Sequence, residues 1–314
     1  MTSTAISVVV CTYNRCESLR DTLRALSQQS LAHGLSMEIV VVDNNSSDRT
    51  KAVIEEAVSV SSWPLRYLFE ANQGISYARN RGIQEARGEY LFFTDDDVLP
   101  ESNWAQVLYD AFVGYGADSV GGKVLPKWLE TPPPWLVSER LRRQVWGTLA
   151  LLDRGSQVIE AKAEDKNFLY GANMAFRKEL FSKLGMFQTD LGAIGSSLLR
   201  GDDTEMIGRV LKAGKKVVYI PDAVVYHKVG PERMRKEYFR RWKFSGGRSL
   251  ARLSAQRFQA WVLRECLESG AGALWAYGRR DFEVGLQKEW SFWVQLGRLI
   301  GYWEGLWKKP RLSA

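Results

Sequence analysis

Four short apolar runs, at residues 6–11, 37–42, 65–69 and 90–93, are each followed by polar residues, and the first three lead on into an amphipathic stretch. Strand-length apolar runs alternating with helix-length amphipathic ones are what a mainly parallel sheet needs, because its strands are joined by crossovers that cover its faces. The pattern predicts strands at those runs, with helices over 17–29, from near Ser47, and over 75–86. Such sheets bind ligands outside the carboxyl ends of their strands. Polar residues gather at those ends: Thr12-Tyr13-Asn14-Arg15 after the first run, Asp43-Asn44-Asn45 after the second, and Asp95-Asp96-Asp97 after the fourth. Three loops on one edge of one sheet can converge on one ligand.

From about Lys127 the pattern loosens. Thr131-Pro132-Pro133-Pro134 is a hard break, and the stretch from there to 165 reads as a helical insertion or lid. Residues 168–176 are apolar but interrupted by Gly171-Ala172-Asn173, and 216–227 read as a last strand ending in His227. Domain boundaries are expected at 1–230 for a catalytic domain, with a donor half over about 1–126 and an acceptor half over about 127–230. A basic, Trp-rich helical extension follows over 231–314. No 20-to-50-residue repeat marks a solenoid.

Three Cys, at 11, 16 and 266, show no paired spacing, so neither a disulfide framework nor a Cys-based zinc site is expected, and a reducing cytoplasm suits the chain. The opening MTSTAISVVV lacks a basic segment ahead of its apolar run and reads as a buried strand, not a signal peptide. The best bilayer-spanning candidate, 290–307, is broken by Gln295, Arg298 and Glu304.

Three consecutive carboxylates at a strand end repel one another. If all are ionised they need a counter-charge, and a divalent cation held by oxygen ligands is the usual one. The alternative is a solvated acidic turn capping the helix after Pro100. There is no GxxxxGK[ST] and no GxGxxG, so a P-loop kinase or dinucleotide oxidoreductase lacks its anchor. Gly201-Asp202-Asp203-Thr204-Glu205 has the form of a capping box, with Asp202 as cap and Glu205 reaching back. That leaves Asp203 over, in the first turn of a helix.

The segments VVVCTYNR, VVDNNSSD, NQGISYARNRG, FFTDDDV, YGANMAFRK and GDDTEM, and then a strand ending in His227, occur in an order that resembles the inverting family 2 glycosyltransferases of the GT-A fold. The resemblance covers 6 to about 230 and implies a GT-A, mostly parallel Rossmann-like α/β sheet flanked by helices, with a C-terminal helical extension. It implies sugar transfer, with inversion, from a nucleotide-diphospho-sugar donor (UDP-linked by family prior) to a glycan or lipid-linked acceptor hydroxyl, as in bacterial-type polysaccharide or glycoconjugate synthesis. Residue by residue, it implies that Thr12 and Tyr13 lie against the base, Asp43 hydrogen-bonds it, and Arg79, with Arg15 nearby, contacts the nucleotide. Asp95 and Asp97 match the ends of the DXD motif that serves ribose, metal and phosphates; Asp96 stays ambiguous between nucleotide and metal. His227 becomes a ligand for Mn²⁺ or Mg²⁺ beside Asp95 and Asp97. Gly171, Ala172, Asn173 and Asp202 fall in the sugar and acceptor pocket. Asp203 matches the general base of a motif that reads Glu-Asp in the family and Asp-Asp here.

Each of these residues also has a plain structural reading: Tyr13 packed, Asp43 capping a turn, Arg79 in a surface ion pair, Gly74 a turn residue, Gly171 to Asn173 a tight turn, His227 a satisfied polar side chain. Two other functions share the metal and sheet-edge logic. A sugar nucleotidyltransferase would want a Gly-rich triphosphate loop where Thr12-Tyr13-Asn14-Arg15 stands, and a non-catalytic nucleotide-sugar-binding or membrane-tethering protein would not need Asp203.

The formal charge is +7, and 233–252 carries eight Lys or Arg against Glu237 alone, so the surplus is local. Met234, Tyr238 and Trp242 form a stripe there, and seven of the 12 Trp lie beyond 240. Trp293, Leu296, Ile300, Trp303 and Trp307 form a second stripe beside Gly297, Gly301 and Gly305. Such faces suit an anionic membrane surface, placing the protein peripherally at the inner face of a plasma membrane; equally, they suit packing on the protein or an oligomer contact. No nucleic-acid recognition motif accompanies the charge.

Overall fold

β1 (Ile6–Thr12) and β2 (Met37–Asp43) are buried along their whole length, as continuous β-branched runs are when helices cover both faces of a sheet. The structure is a computed structural model and describes residues 4–165, 167–195, 201–253 and 260–307. α1 (Cys16–Ser27) joins these two strands, and α2 (Thr50–Val60), β3 (Leu65–Phe69), α3 (Ile75–Glu85) and β4 (Tyr90–Asp95) follow. β2 and β4 pair in parallel with β1, and β3 with β2, so all four carboxyl ends lie on one edge. The α/β class and the crossover pattern expected from the sequence are both present.

The remaining elements of the sheet region are β5 (Val98–Pro100), α4 (Trp104–Tyr115), β6 (Ser119–Trp128), α5 (Arg142–Thr148), β7 (Ile159–Glu160), β8 (Met174–Arg177), α6 (Glu179–Leu184), α7 (Asp202–Lys212) and β9 (Val217–Val229). The strand order is β3-β2-β1-β4-β8-β6-β9-β5, with β7 paired to β9. β8 runs antiparallel to β4, which brings the turn Gly171–Asn173 to the carboxyl end of β4.

Three expectations are corrected. β9 does not end at His227 but continues to Val229, and it runs antiparallel to β5, with His227 opposite Val98. The stretch after the triple proline is helical only over Pro134–Leu136 and in α5; by 152 the chain is extended, with Leu152 bridged to Val124. Asp153 accepts the Gly155 N–H and Gly155 takes φ +95°, a turn no helix passes through. The capping box does not form: α7 begins at Asp202 itself, whose carboxylate is drawn to Arg79, while Glu205 pairs with Arg209 at 2.7 Å.

The chain divides into two compact units. The first holds 1–127, 150–195 and 202–228; the second holds 128–149, 196–201 and 229–314, so the segment around α5 groups with the C-terminal helices. In the second unit, α8 (Lys236–Leu253), α9 (Ala260–Gly278) and α10 (Phe282–Trp307) pack with α10 along both others. Of the expected Met234, Tyr238, Trp242 stripe only Met234, in a turn ahead of α8, is buried; within α8 the buried positions include Phe239, Lys243, Gly246 and Gly247, with Tyr238 and Trp242 half-buried. Glycine explains the shift: a Cβ on Gly247 would lie 2.0 Å from the Val294 oxygen, and one on Gly297 2.0 Å from the Phe244 oxygen, so α8 and α10 touch backbone to backbone there. Arg240 pairs with Glu289, Arg248 with Glu304 at 2.8 Å, and the Lys243 ammonium stands 5.6 Å from the Trp290 ring centroid. Two of the eight basic side chains of 233–252 are therefore paired with acids of α10, and a third is turned onto an aromatic ring. The side chains of Arg252, Leu306 and Trp307, together with Gly305, lie outside the described part of that pattern.

Candidate active site

The carboxyl edge of the sheet gathers its polar residues around β4. Asp96 turns inward: its Oδ2 accepts the Thr12 hydroxyl at 2.8 Å and its Oδ1 the Arg15 guanidinium at 3.1 Å. Arg15, half exposed, also reaches Asp97 Oδ2 at 3.1 Å, so one cation clamps two adjacent carboxylates. The other oxygen of Asp97 lies 3.1 Å from His227 Nε2. His227 gets there because antiparallel pairing sets it across from Val98, immediately after Asp97.

Arg79 holds the opposite flank. It is nearly fully buried, and its guanidinium pairs with Asp202 and stands 3.8 Å from Asp95 Oδ1. The alternative reading of Arg79 as a surface ion pair on a helix does not hold: it is a buried bridge between the end of β4 and the start of α7. Gly171 makes the seat: a Cβ there would sit 2.2 Å from Arg79 Nη2. The Gly171 N–H donates to Asp203 Oδ2 at 3.1 Å, and the Thr204 N–H to Asp203 Oδ1 at 2.7 Å, which fixes that carboxylate in the first turn of α7.

Burial, opposed by Arg79, pushes the Asp95 carboxyl above its ordinary value. Burial pushes Asp96 up to about 6 against the pull of Arg15. Asp203 is raised too, first by burial and then by the neighbouring Asp202 charge, with Arg79 and its two backbone donors working the other way. Burial is the largest cause for all three, and the charged neighbours differ; in all, five carboxylates (Asp95, Asp96, Asp97, Asp202, Asp203) meet two guanidiniums (Arg15, Arg79), an excess of three negative charges among these side chains when all are ionised.

That excess is the test of a divalent cation. Asp97 and His227 bring an oxygen and a nitrogen donor together beside Asp95, while among the described residues no group of three His, Cys, Asp or Glu is assembled as a closed site. A pair of protein donors, completed by phosphate oxygens and water, is how Mg²⁺ and similar ions bind alongside phosphorylated substrates. The residues fit a cation that arrives with a diphosphate.

The remaining expected residues divide. Asp43 is buried; it caps the turn through the Ser46 N–H at 2.9 Å and accepts the Tyr67 hydroxyl at 3.2 Å. Tyr13 is partly exposed next to Asn14, whose φ of +52° turns the loop. The Ala172 carbonyl accepts the Thr94 hydroxyl at 2.9 Å. Asn173 departs from the pocket-lining role: it is fully buried, takes the Trp104 indole N–H on Oδ1, and donates to the Lys123 and Ala223 carbonyls. Its amide holds α4, β6 and β9 together, and Gly171 and Ala172 are buried beside it, so the turn has no exposed side chain to offer.

Asn44, expected only as part of a polar loop at the sheet edge, has a bracing role that the sequence did not signal. Its side chain donates to the Glu70 and Asn72 carbonyls and accepts the Gly74 N–H at 2.7 Å, tying the loop after β2 to the entry of α3 and hence to Arg79. Its position one residue beyond Asp43 marked only the loop.

A family model described as glycosyl transferase family 2 matches residues 7–185, and one described as glycosyl transferase family group 2 matches 140–304. The chain is 28% identical over 263 residues to the succinoglycan biosynthesis protein ExoM of Rhizobium meliloti, covering 82% of this chain and 78% of that one. It is 27% identical over 228 residues to the glucosyl-dolichyl phosphate glucuronosyltransferase of Haloferax volcanii, covering 71% and 69%. In fold it is similar to the mannosyltransferase PcManGT from Pyrobaculum calidifontis, solved with GDP-Man and Mn²⁺, at a TM-score of 0.59 and 19% identity over 98% of this chain and 76% of that one. S. aureus TarS 1–349 in complex with UDP aligns at a TM-score of 0.53 and 16% identity, over 99% and 94%.

Proposed function

Because the chain belongs to glycosyl transferase family 2, and is a nucleotide-sugar glycosyltransferase of the GT-A fold, we propose that it transfers one sugar, with inversion and with a divalent cation, to an acceptor hydroxyl in polysaccharide or glycoconjugate synthesis. The observation that supports this reading is the convergence of Asp95 to Asp97, Arg15, Arg79, His227 and Asp203 on one sheet edge. Thr12, Tyr13 and Asp43 receive the base and Asp95 the ribose side of the donor. Arg15 and Arg79 are the cations available to the diphosphate. Asp97 and His227, with Asp95, would hold Mn²⁺ or Mg²⁺, whose positive charge stabilises the departing diphosphate. Asp203 takes the proton from the acceptor hydroxyl as its oxygen bonds to the anomeric carbon and the bond from that carbon to the diphosphate breaks. A single displacement of this kind needs no nucleophile on the protein. The acceptor is a glycan or lipid-linked hydroxyl.

A thermal-shift screen of UDP-, GDP- and dTDP-sugars, with and without Mn²⁺, tests the donor assignment. A ligand at about 100 times its Kd stabilises the folded chain by about 2.7 kcal/mol. One nucleotide-sugar class should raise Tm, and only with metal. Shifts from nucleoside triphosphates but from no nucleotide-sugar would point to a nucleotidyltransferase instead.

The raised Asp203 carboxyl sets a pH dependence. A base works only when ionised, so kcat/KM should fall as pH drops through the Asp203 pKa, at a pH above the ordinary aspartate value of about 3.9. A pH–rate profile checks this. An acid limb that survives unchanged in a variant lacking the Asp203 carboxylate would assign the limb to another group.

A further inference from the structure

α9 is built inside out. Apart from Val262, its buried side is made of small side chains (Cys266, Ser269, Ala273, Ala276), while its leucines face solvent. Leu263, Leu267 and Leu274 recur on one face, 46%, 66% and 76% exposed, and Trp275 beside them is 64% exposed. A helix that packs onto a protein core does the reverse, turning its leucines inward. Contiguous apolar surface of this kind marks an interaction site. The charged residues of that face, Arg264 and Glu268, cancel each other at 2.7 Å.

The ends of the stripe say what covers it. Trp275 carries the Arg279 guanidinium 4.9 Å from its ring centroid, and Trp261 carries that of Arg298 at 4.8 Å. Arg279 and Arg280, exposed, close the helix. An apolar stripe flanked by Trp and Arg has the layering of a lipid surface, where indoles sit at headgroup depth and guanidiniums meet phosphates. A second copy of the chain fits less well, because a two-fold contact through this face would set one cationic rim against the other. No helix among the described residues is long and apolar enough to cross a membrane, so this one would lie in the surface plane.

We infer that the solvent face of α9, centred on Leu267 and Leu274 and flanked by the Trp261–Arg298 and Trp275–Arg279 pairs, is a docking surface for an anionic lipid bilayer. It is distinct from the basic residues of α8, two of which, Arg240 and Arg248, are paired with acids of α10. The inference does not rest on the catalytic assignment, and its test reads binding alone.

Co-sedimentation of the full chain with phosphatidylcholine vesicles, with and without about 30% phosphatidylglycerol, measures it. Wild type should bind the anionic vesicles and pass over the neutral ones. Leu267→Ser/Leu274→Ser, which changes no charge and touches no buried contact, should weaken that binding by about tenfold or more. Arg235→Gln/Arg241→Gln, removing two exposed charges in and beside α8, should weaken it by no more than about threefold. Unchanged circular dichroism and Tm in both variants keep folding out of the comparison. Three results would overturn the inference: no binding to either vesicle, binding lost with the arginines but kept without the leucines, or a dimer that the leucine variant dissociates while vesicles are ignored.

Discussion

Replacing Asp203 by Asn is expected to cut sugar transfer by about 10²-fold or more while donor affinity stays near wild type. The carboxylate sits in the first turn of α7, partly exposed, with one oxygen on the Gly171 N–H and the other on the Thr204 N–H. Both contacts come from donors, so an amide keeps only one of them well: its NH₂ must face the other N–H. The loss is about 1 kcal/mol of stability, which a melting curve will show and which a rate loss of this size far exceeds. Arg79 remains bridged to Asp202 and Asp95 in the variant, so the groups assigned to the diphosphate are untouched. Measured kcat and KM, with donor affinity from thermal shift, separate the two effects. Transfer at a near wild-type rate would put the base elsewhere.

Legibility in the sequence followed the range of the interaction. β1, β2 and β4 could be read at once, since a short, fully buried apolar run ending in polar residues has few other places to go than a sheet covered on both faces. β5 could not: three residues directly after the acidic cluster become a strand because His227 to Val225 lie across from them, well over a hundred residues later. The capping box failed for the same reason. Asp202 and Glu205 have the right spacing, but a buried guanidinium from α3 takes Asp202 and an i,i+4 arginine takes Glu205. Local rules hold until a buried charge competes with them.

The site was legible as a set of loops and not as a set of contacts. That Thr12, Arg15, Asp96, Asp97 and His227 form a single chain of close polar contacts follows only from strand order and direction. In the second unit Met234 is buried as its place in the stripe suggests, but on α8 Phe239 and Lys243 are buried in place of Tyr238 and Trp242, each one residue on, because contact with α10 goes where Gly247 and Gly297 let two backbones meet. Apolar periodicity says that a face exists; small residues decide which face is pressed closest.

Chelation by EDTA should abolish transfer, and Asp97→Ala should remove most of the metal-dependent donor affinity. The reasoning is electrostatic. Five carboxylates and two guanidiniums leave the site with an excess of three negative charges when ionised, before any substrate enters. A nucleotide-sugar adds a diphosphate to that field, and two like charges 4 Å apart at an effective dielectric near 20 repel by about 4 kcal/mol. Arg15 cannot serve the phosphates fully, since it is engaged with Asp96 and Asp97, and Arg79 is engaged with Asp202 and Asp95. A divalent cation between Asp97, His227 and the diphosphate sets two positive charges where the carboxylates and the phosphates lie nearest each other. Asp97→Ala is the sharper variant of the cluster: Asp96 holds Thr12 and Arg15 in place, whereas Asp97 adds the contact to His227. The variant should therefore stay folded, bind donor weakly, and respond little to added Mn²⁺. Removing one negative charge could instead favour donor binding in the absence of metal. A variant that binds donor more tightly than wild type in EDTA, and transfers sugar there, would show that Arg15 and Arg79 neutralise the diphosphate on their own and that the cation is dispensable.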